Sequence, residues 1–303
     1  MHPPSFGCNR QLYRSAQGRR IARSERVRAA YSGRMVRAEA KQAAAAAEGS
    51  SWLHAVARVG FVVLGVVHAI IGVLAFVITR DPDDVEVDQS GAMLTLARTP
   101  VGGVLLWIVA LGFLALCAWE LIEAVLVPGR DRPRRWARRL PALAKAVAYA
   151  AVGGLALVFA LGGRLSAAAT GYDVSATLIA VPGGAWLLIA AGLATLGAGV
   201  GFVVAGVRRT FRNLLRMPSG TAGRIVTVVG VVGYVGKGIA LGVVGVLVVI
   251  GAAMADPRAA SGLDGALTEL VTKPYGEILV WIAGGGLIVY GVFCVLRARY
   301  ARL

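Results

Sequence analysis

Acidic residues, histidine and sulfur are what this chain has least of. Only 16 of its 303 residues are Asp or Glu, three are His, and charged residues of either sign make up 16%, against about 25% in a typical soluble protein. The three cysteines, Cys8, Cys117 and Cys294, lie far apart and form no CxxC, which excludes a disulfide framework and a structural zinc site. HExxH, GxSxG and GxxxxGK[ST] are all missing. No catalytic residue, cofactor site or metal site is therefore assigned, and the chain is not expected to be an enzyme.

What is abundant is apolar. Hydrophobic residues reach 57%, mean hydropathy is +0.70, and there are 40 glycines. An apolar run of about 20 residues crosses a hydrocarbon core of about 30 Å as a helix. Six stretches qualify, approximately Ala55 to Thr79, Gly103 to Val127, Ala142 to Gly163, Gly183 to Val207, Ile225 to Met254 and Glu277 to Leu296. Many are rich in Val and Gly, poor helix formers in water, but in lipid every backbone group must be satisfied internally, so helix is forced.

The net charge of +16 would suggest nucleic acid in a soluble protein. Its distribution indicates otherwise. Ten basic residues precede the first span, six follow the second, five follow the fourth and three follow the sixth, while the opposite loops hold five. Basic residues mark the cytoplasmic side. The expected location is the cytoplasmic (inner) membrane, multi-pass, with both termini cytoplasmic. The expected partners are the bilayer itself, with anionic head groups at the basic loops, and protein partners or a second copy of the chain; nucleic acid is not expected. The tail from Met1 to Ser51 is Arg-, Ser- and Ala-rich and has no apolar h-region. It is expected to be a disordered basic cytoplasmic tail, with Met35 as a second candidate start.

The chain repeats itself three times. Gly60-Phe61 through Gly65, Ala148-Tyr149 through Gly153 and Gly233-Tyr234 through Gly238 align, and continuing each reaches Gly72, Ala160 and Gly245. One helical stripe of small residues results, and such stripes let helices approach closely in lipid. The expected packing residues are Gly60, Gly65, Gly72, Gly153, Gly233, Gly238 and Gly245. Between the spans of each copy, Leu96 with Pro100 and Gly102, Leu178 with Pro182 and Gly184, and Leu270 with Pro274 and Gly276 share one spacing. That spacing predicts a short outer helix or turn feeding the next span. Trp107 and Trp281 occupy matching places in the following spans. The organisation expected is a tail over 1–51 and repeats over 52–127, 138–208 and 222–300. Two spans per copy make the repeats parallel. The fold class is all-α, a polytopic membrane protein with six transmembrane helices in a pseudo-threefold bundle.

Several motifs make the resemblance specific. Ala57-Arg58-x-Gly60-Phe61, Lys237-Gly238, the run from Gly262 to Gly276 reading Gly-Leu-Asp-Gly-Ala-Leu-x-x-Leu-x-x-x-Pro-aromatic-Gly, and Gly-Leu-x-x-Tyr-Gly from Gly286 to Gly291 resemble the bacterial family known as domain of unknown function 1206. The resemblance covers roughly Trp52 to Tyr300. It implies three copies of a two-span unit and carries no catalytic residues over. The second copy departs from the pattern, lacking the leading Arg and the Tyr-Gly.

Ionisable residues inside spans cost about 2.5 to 3.5 kcal/mol on insertion scales, so each needs an account. Lys237 is the deepest; Glu120 and His68 complete a candidate intramembrane polar cluster. Two readings are open. A Lys237–Glu120 pair with His68 nearby would line a path for protons, ions or a small solute. Alternatively Lys237 snorkels to a carboxylate and His68 bonds a neighbouring helix, fixing register. Arg58, Lys145 and Glu123 read as interface anchors. Asp83, Asp84, Glu86 and Asp88 form an acidic outer loop that either attracts a divalent cation or stays solvated. The function expected is that of a non-enzymatic structural or interaction protein of the membrane; the alternative is a channel or transporter along the pseudo-threefold axis.

Overall fold

The structure is a computed structural model that describes residues 51–81, 86–126 and 132–301. All of the expected basic tail except Ser51 lies outside the described residues, as do Asp83 and Asp84. The described residues form nine α-helices and no strand. Six helices are long and apolar enough to cross a membrane: α1 (Ser51–Val77), α3 (Gly102–Leu126), α4 (Arg132–Ala160), α6 (Gly184–Val207), α7 (Gly220–Ala253) and α9 (Gly276–Tyr300). Between the members of each consecutive pair sits a short helix: α2 (Gln89–Ala97), α5 (Ala167–Ala180) and α8 (Leu263–Val271). The protein is a polytopic helical membrane protein in which the pattern long, short, long occurs three times. Three spans start several residues earlier than hydropathy suggests, α1 by four, α4 by running through Pro141 into an Arg-rich lead and α7 by five. A window tuned to apolar residues does not see such polar ends.

The Leu, Pro and Gly spacing now has a physical cause. Each long helix after a short one begins at the Gly, whose N–H bonds to the carbonyl three residues back, at Thr99, Val181 and Lys273. A Cβ on Gly102, Gly184 or Gly276 would collide with the carbonyl oxygen of Leu96, Leu178 or Leu270 in turn. The corner is tight because the chain reverses from short helix to span within a few residues, and only hydrogen fits there.

Packing between spans follows the small-residue stripes. A Cβ on Gly65 would lie 2.6 Å from the Gly291 carbonyl oxygen, and one on Gly72 would lie 2.5 Å from that of Gly284, so α1 and α9 touch backbone to backbone. The same arrangement joins α7 to α6, where Gly238 meets the carbonyl of Gly199 at 2.7 Å and Gly245 meets that of Gly192 at 2.8 Å. The third seam, α4 on α3, is looser: Gly153 faces Phe113 and Leu114 at 3.3 Å. Each seam joins the first span of one repeat to the second span of another, so the tight pairs are not the hairpins of the sequence. Gly60 and Gly233 use a second face, packing within their own repeats on Gly112 of α3 and Tyr290 of α9.

The ring of six is not evenly closed. Repeats 1 and 3 pack their own two spans together, whereas among the described residues α4 and α6 scarcely touch. Of the apolar stretches, 17% of α6 and 28% of α4 are buried within the protein, against 44% or more in the other four.

The short helices form a layer across one end of the bundle. Asp88 caps α2, its Oδ1 accepting from the Ser90 and Gly91 N–H groups at 2.7 and 3.1 Å, as N-cap carboxylates do. The Ser90 hydroxyl donates to Glu86 and accepts from the Ala167 N–H that opens α5. Asp264 of α8 accepts from the Val87 N–H at 2.6 Å, and the Ser175 hydroxyl of α5 donates to the Ala260 carbonyl. Glu86 and Asp88 of the acidic loop thus hold the start of α2, and Ser90, Asp264 and Ser175 tie the layer together. No group of three His, Cys, Asp or Glu residues suited to a metal occurs among the described residues.

Two predictions follow from these contacts. Gly72→Leu forces a side chain into the α1–α9 seam, where overpacking costs about 1 to 3 kcal/mol; Gly103→Leu meets nothing within 4 Å. Thermal unfolding in mild detergent is expected to show a clear drop for Gly72→Leu and none for Gly103→Leu; equal melting temperatures contradict the seam. Asp264 is pushed up from 3.8 to about 6, by burial first and then by Asp88 and Glu86, against the pull of the Val87 N–H. A carboxyl raised by folding contributes stability that is full below about pH 4 and lost as the pH climbs through about 6. Asp264→Asn keeps an acceptor for Val87 and removes the charge. It is expected to melt above the wild type at pH 7.5 and with it at pH 4; a lower melting point at pH 7.5 contradicts this.

Candidate functional site: a cationic cavity among the spans

The long helices enclose a central cavity of about 870 Å³ with residues of all six in its wall. Its volume sits in the upper part of the range of roughly 300 to 1,000 Å³ common for ligand pockets. The lining is mostly apolar and aromatic, with three charged side chains, Lys145, Lys237 and Arg297, and no carboxylate.

Lys237 stands at the centre. Its Nζ lies 3.0 Å from His68 Nε2, while His68 Nδ1 lies 2.8 Å from the Leu64 carbonyl oxygen one turn back on α1. A carbonyl can only accept, so Nδ1 carries the proton and Nε2 offers its lone pair to the ammonium. The remaining surroundings are aromatic rings: Nζ is 4.2 Å from the Tyr290 ring centre and 5.1 Å from that of Phe202, distances suited to cation–π attraction. Tyr290 packs edge-on to Tyr234 at 5.7 Å, and Tyr234 stacks on Phe211 of the 3₁₀ turn Thr210–Leu214 at 5.2 Å. Among the described residues no carboxylate stands within ion-pair distance of Lys237 or Arg297.

This corrects the sequence reading of the cluster. His68 and Lys237 do meet, but Glu120 does not pair with Lys237: its carboxylate lies 2.6 Å from the Lys145 ammonium. Nor does Lys237 snorkel to a carboxylate; an imidazole and aromatic faces surround it where it is, without a counter-charge among the described residues. Lys145 is no simple interface anchor. Its side chain is 47% exposed, yet its head reaches in to a Glu120 side chain that is only 4% exposed. The reason is rotational. Glu120 faces across the α3–α4 seam, so its cation comes from α4, and α7 lies elsewhere in the ring.

Arg297 was expected only as one of the C-terminal basic residues that mark a membrane side. Instead its guanidinium lies 4.2 Å from the Phe61 ring centre on the cavity wall, with Nε buried and unbonded. Its place two turns beyond Tyr290 on α9, a spacing that keeps both on one helix face, was the signal available for it.

The wall is open on one side. Ala148 of α4 and Gly201 of α6 both line the cavity and are both exposed, and a Cβ on Gly201 would meet nothing within 4 Å. These are the two helices that scarcely touch. A family model described as Domain of Unknown Function (DUF1206) matches three stretches, 59–126, 140–209 and 232–301. The chain belongs to the DUF1206 family. It is also 28% identical over 260 residues, 84% of this chain and 94% of the other, to "Uncharacterized protein YxxB" of Bacillus subtilis (strain 168). No solved structure matches it. In this DUF1206 chain the opening falls in the divergent second copy: where repeat 3 places Gly233 and Tyr290, repeat 2 has Ala148 and Ala198, and both alanines line the cavity.

The Glu120–Lys145 pair is asymmetric. Removing one partner of a buried pair costs about 3 to 5 kcal/mol when the other charge is stranded. Lys145→Met strands a buried carboxylate, whereas Glu120→Gln leaves a half-exposed ammonium that can reach water. Melting in detergent is expected to fall markedly for Lys145→Met and by a small fraction of that for Glu120→Gln; the reverse order contradicts the pairing.

Proposed function

We propose that this protein is a membrane-embedded binding protein whose central cavity holds an anion. One observation carries the reading: among the described residues every charged side chain lining the cavity is a cation, and only Lys145 has a carboxylate partner. Uncompensated cations within a span are expensive, so they mark a site more often than a scaffold. A bundle packed dry on its axis would favour a structural or interaction role; a cavity of about 870 Å³ favours a bound molecule. The apolar walls and the short-helix layer across one end speak against an aqueous channel. On this reading the protein lies in the cytoplasmic membrane with both termini in the cytoplasm, the basic loops attract anionic head groups, and nucleic acid has no part.

A thermal-shift series in mild detergent tests it. Dodecanoate, inorganic phosphate and acetate are compared with neutral dodecanol, on the wild type and on Lys237→Met. At least one anion is expected to raise the wild-type melting temperature by several degrees, with dodecanol inactive and the effect reduced about tenfold in apparent affinity by Lys237→Met. No stabilisation by any anion, or equal stabilisation of the variant, contradicts the reading.

A further inference from the structure

The cavity is polarised along its length. Lys145 and Arg297 lie toward the end of the bundle where α4 and α7 begin and α9 stops, and Lys237 stands at the midpoint of α7. From His68 and Lys237 toward the short-helix layer the wall turns apolar, with Ile71, Val244 and Leu287, and closes on Gln89 and Leu263. A compact polar solute fits the first half and wastes the second. A molecule with a charged head and a long chain fits both.

The entrance points the same way. The wall is open between α4 and α6, along the flanks of two spans, and the residues at its edges are Ala148 and Gly201. Beyond that edge the faces of α4 and α6 carry Val147, Leu193, Val200 and Val204 exposed, as helices facing acyl chains do. A lateral opening between lipid-facing helices leads into bilayer. The opening is also specific to one repeat, since the corresponding positions in repeats 1 and 3 close through Gly60 on Gly112 and Gly233 on Tyr290.

We propose that the occupant is a long-chain amphiphile with an anionic head group, a carboxylate or a phosphate, which passes sideways from the bilayer between α4 and α6. Its head sits against Lys237, with Arg297 on the same wall, and its chain lies toward the short-helix layer. This rests on the anion-binding reading above and adds the chain and the lateral route.

The test uses stearic acid spin-labelled near its methyl end, with the full-length protein in nanodiscs of zwitterionic phosphatidylcholine. Gly201→Trp fills the opening. Gly197→Trp is its control, one turn away on α6, with equally open space around a Cβ and no part in the cavity wall. Both variants are first shown to match the wild type in helical circular dichroism and melting. The wild type and Gly197→Trp are expected to give a saturable immobilised signal approaching one label per chain, and Gly201→Trp at least tenfold less. Equal binding by Gly201→Trp overturns the lateral route. Stabilisation by inorganic phosphate or acetate with no immobilised label overturns the amphiphile while leaving an anion site. Absence of any immobilised label together with a silent anion series overturns both readings.

Discussion

Backbone-to-backbone contact across glycine is the constraint on which the rest of the molecule depends. Lipid is as apolar as any side chain, so spans gain little by hiding leucine from it, and they hold together where their axes can approach. Gly65 on Gly291 and Gly72 on Gly284 make one such seam, and Gly238 on Gly199 with Gly245 on Gly192 make another. These seams join different repeats, so they turn three similar units into a ring. The short-helix layer fixes the same ring at one end, through Asp88, Ser90 and Asp264. With both in place the middle of the ring need not be filled.

Function enters where the threefold pattern fails. Strict repetition would put the same side chain in the wall three times, but the positions of Lys237 in the other two copies hold Leu64 and Val152, and those of His68 hold Ala156 and Leu241. The Lys237 ammonium is therefore presented to a largely apolar chamber, steadied by one imidazole and two aromatic rings. Repeat 2 fails in the opposite sense. Its alanines at 148 and 198 replace the residues that close repeat 3, and the ring is left with an opening. Lys237 and the opening belong to different repeats and meet only in the folded ring.

Much of the architecture was legible in the amino-acid sequence because membrane solvation leaves few alternatives. Run length determined six spans, and the Leu, Pro and Gly spacing located the three short helices to within a turn. The stripes also named Gly65, Gly72, Gly238 and Gly245 without naming their partners. Partners depend on how each helix is rotated in the ring, which helix periodicity alone does not specify. For the same reason Glu120 was matched to the wrong cation. Lys145 looked like an anchor because it stands near the end of its apolar stretch, and Arg297 looked like a marker of membrane side because it closes the last span. The departure of the second copy was visible as weaker resemblance, but weak resemblance carries no geometry, and only packing turns it into a lateral opening.

The central claim is that an open, cationic chamber exists because the seams hold the ring while repeat 2 leaves it unclosed. An experimental map of the protein in a lipid nanodisc, by electron cryomicroscopy, tests that most directly. The account predicts α4 and α6 parted along their length, Lys237 between His68 and Tyr290, and elongated density running from Lys237 toward the short-helix layer. A map with α4 packed on α6, no chamber, and Lys237 paired to a carboxylate would contradict it.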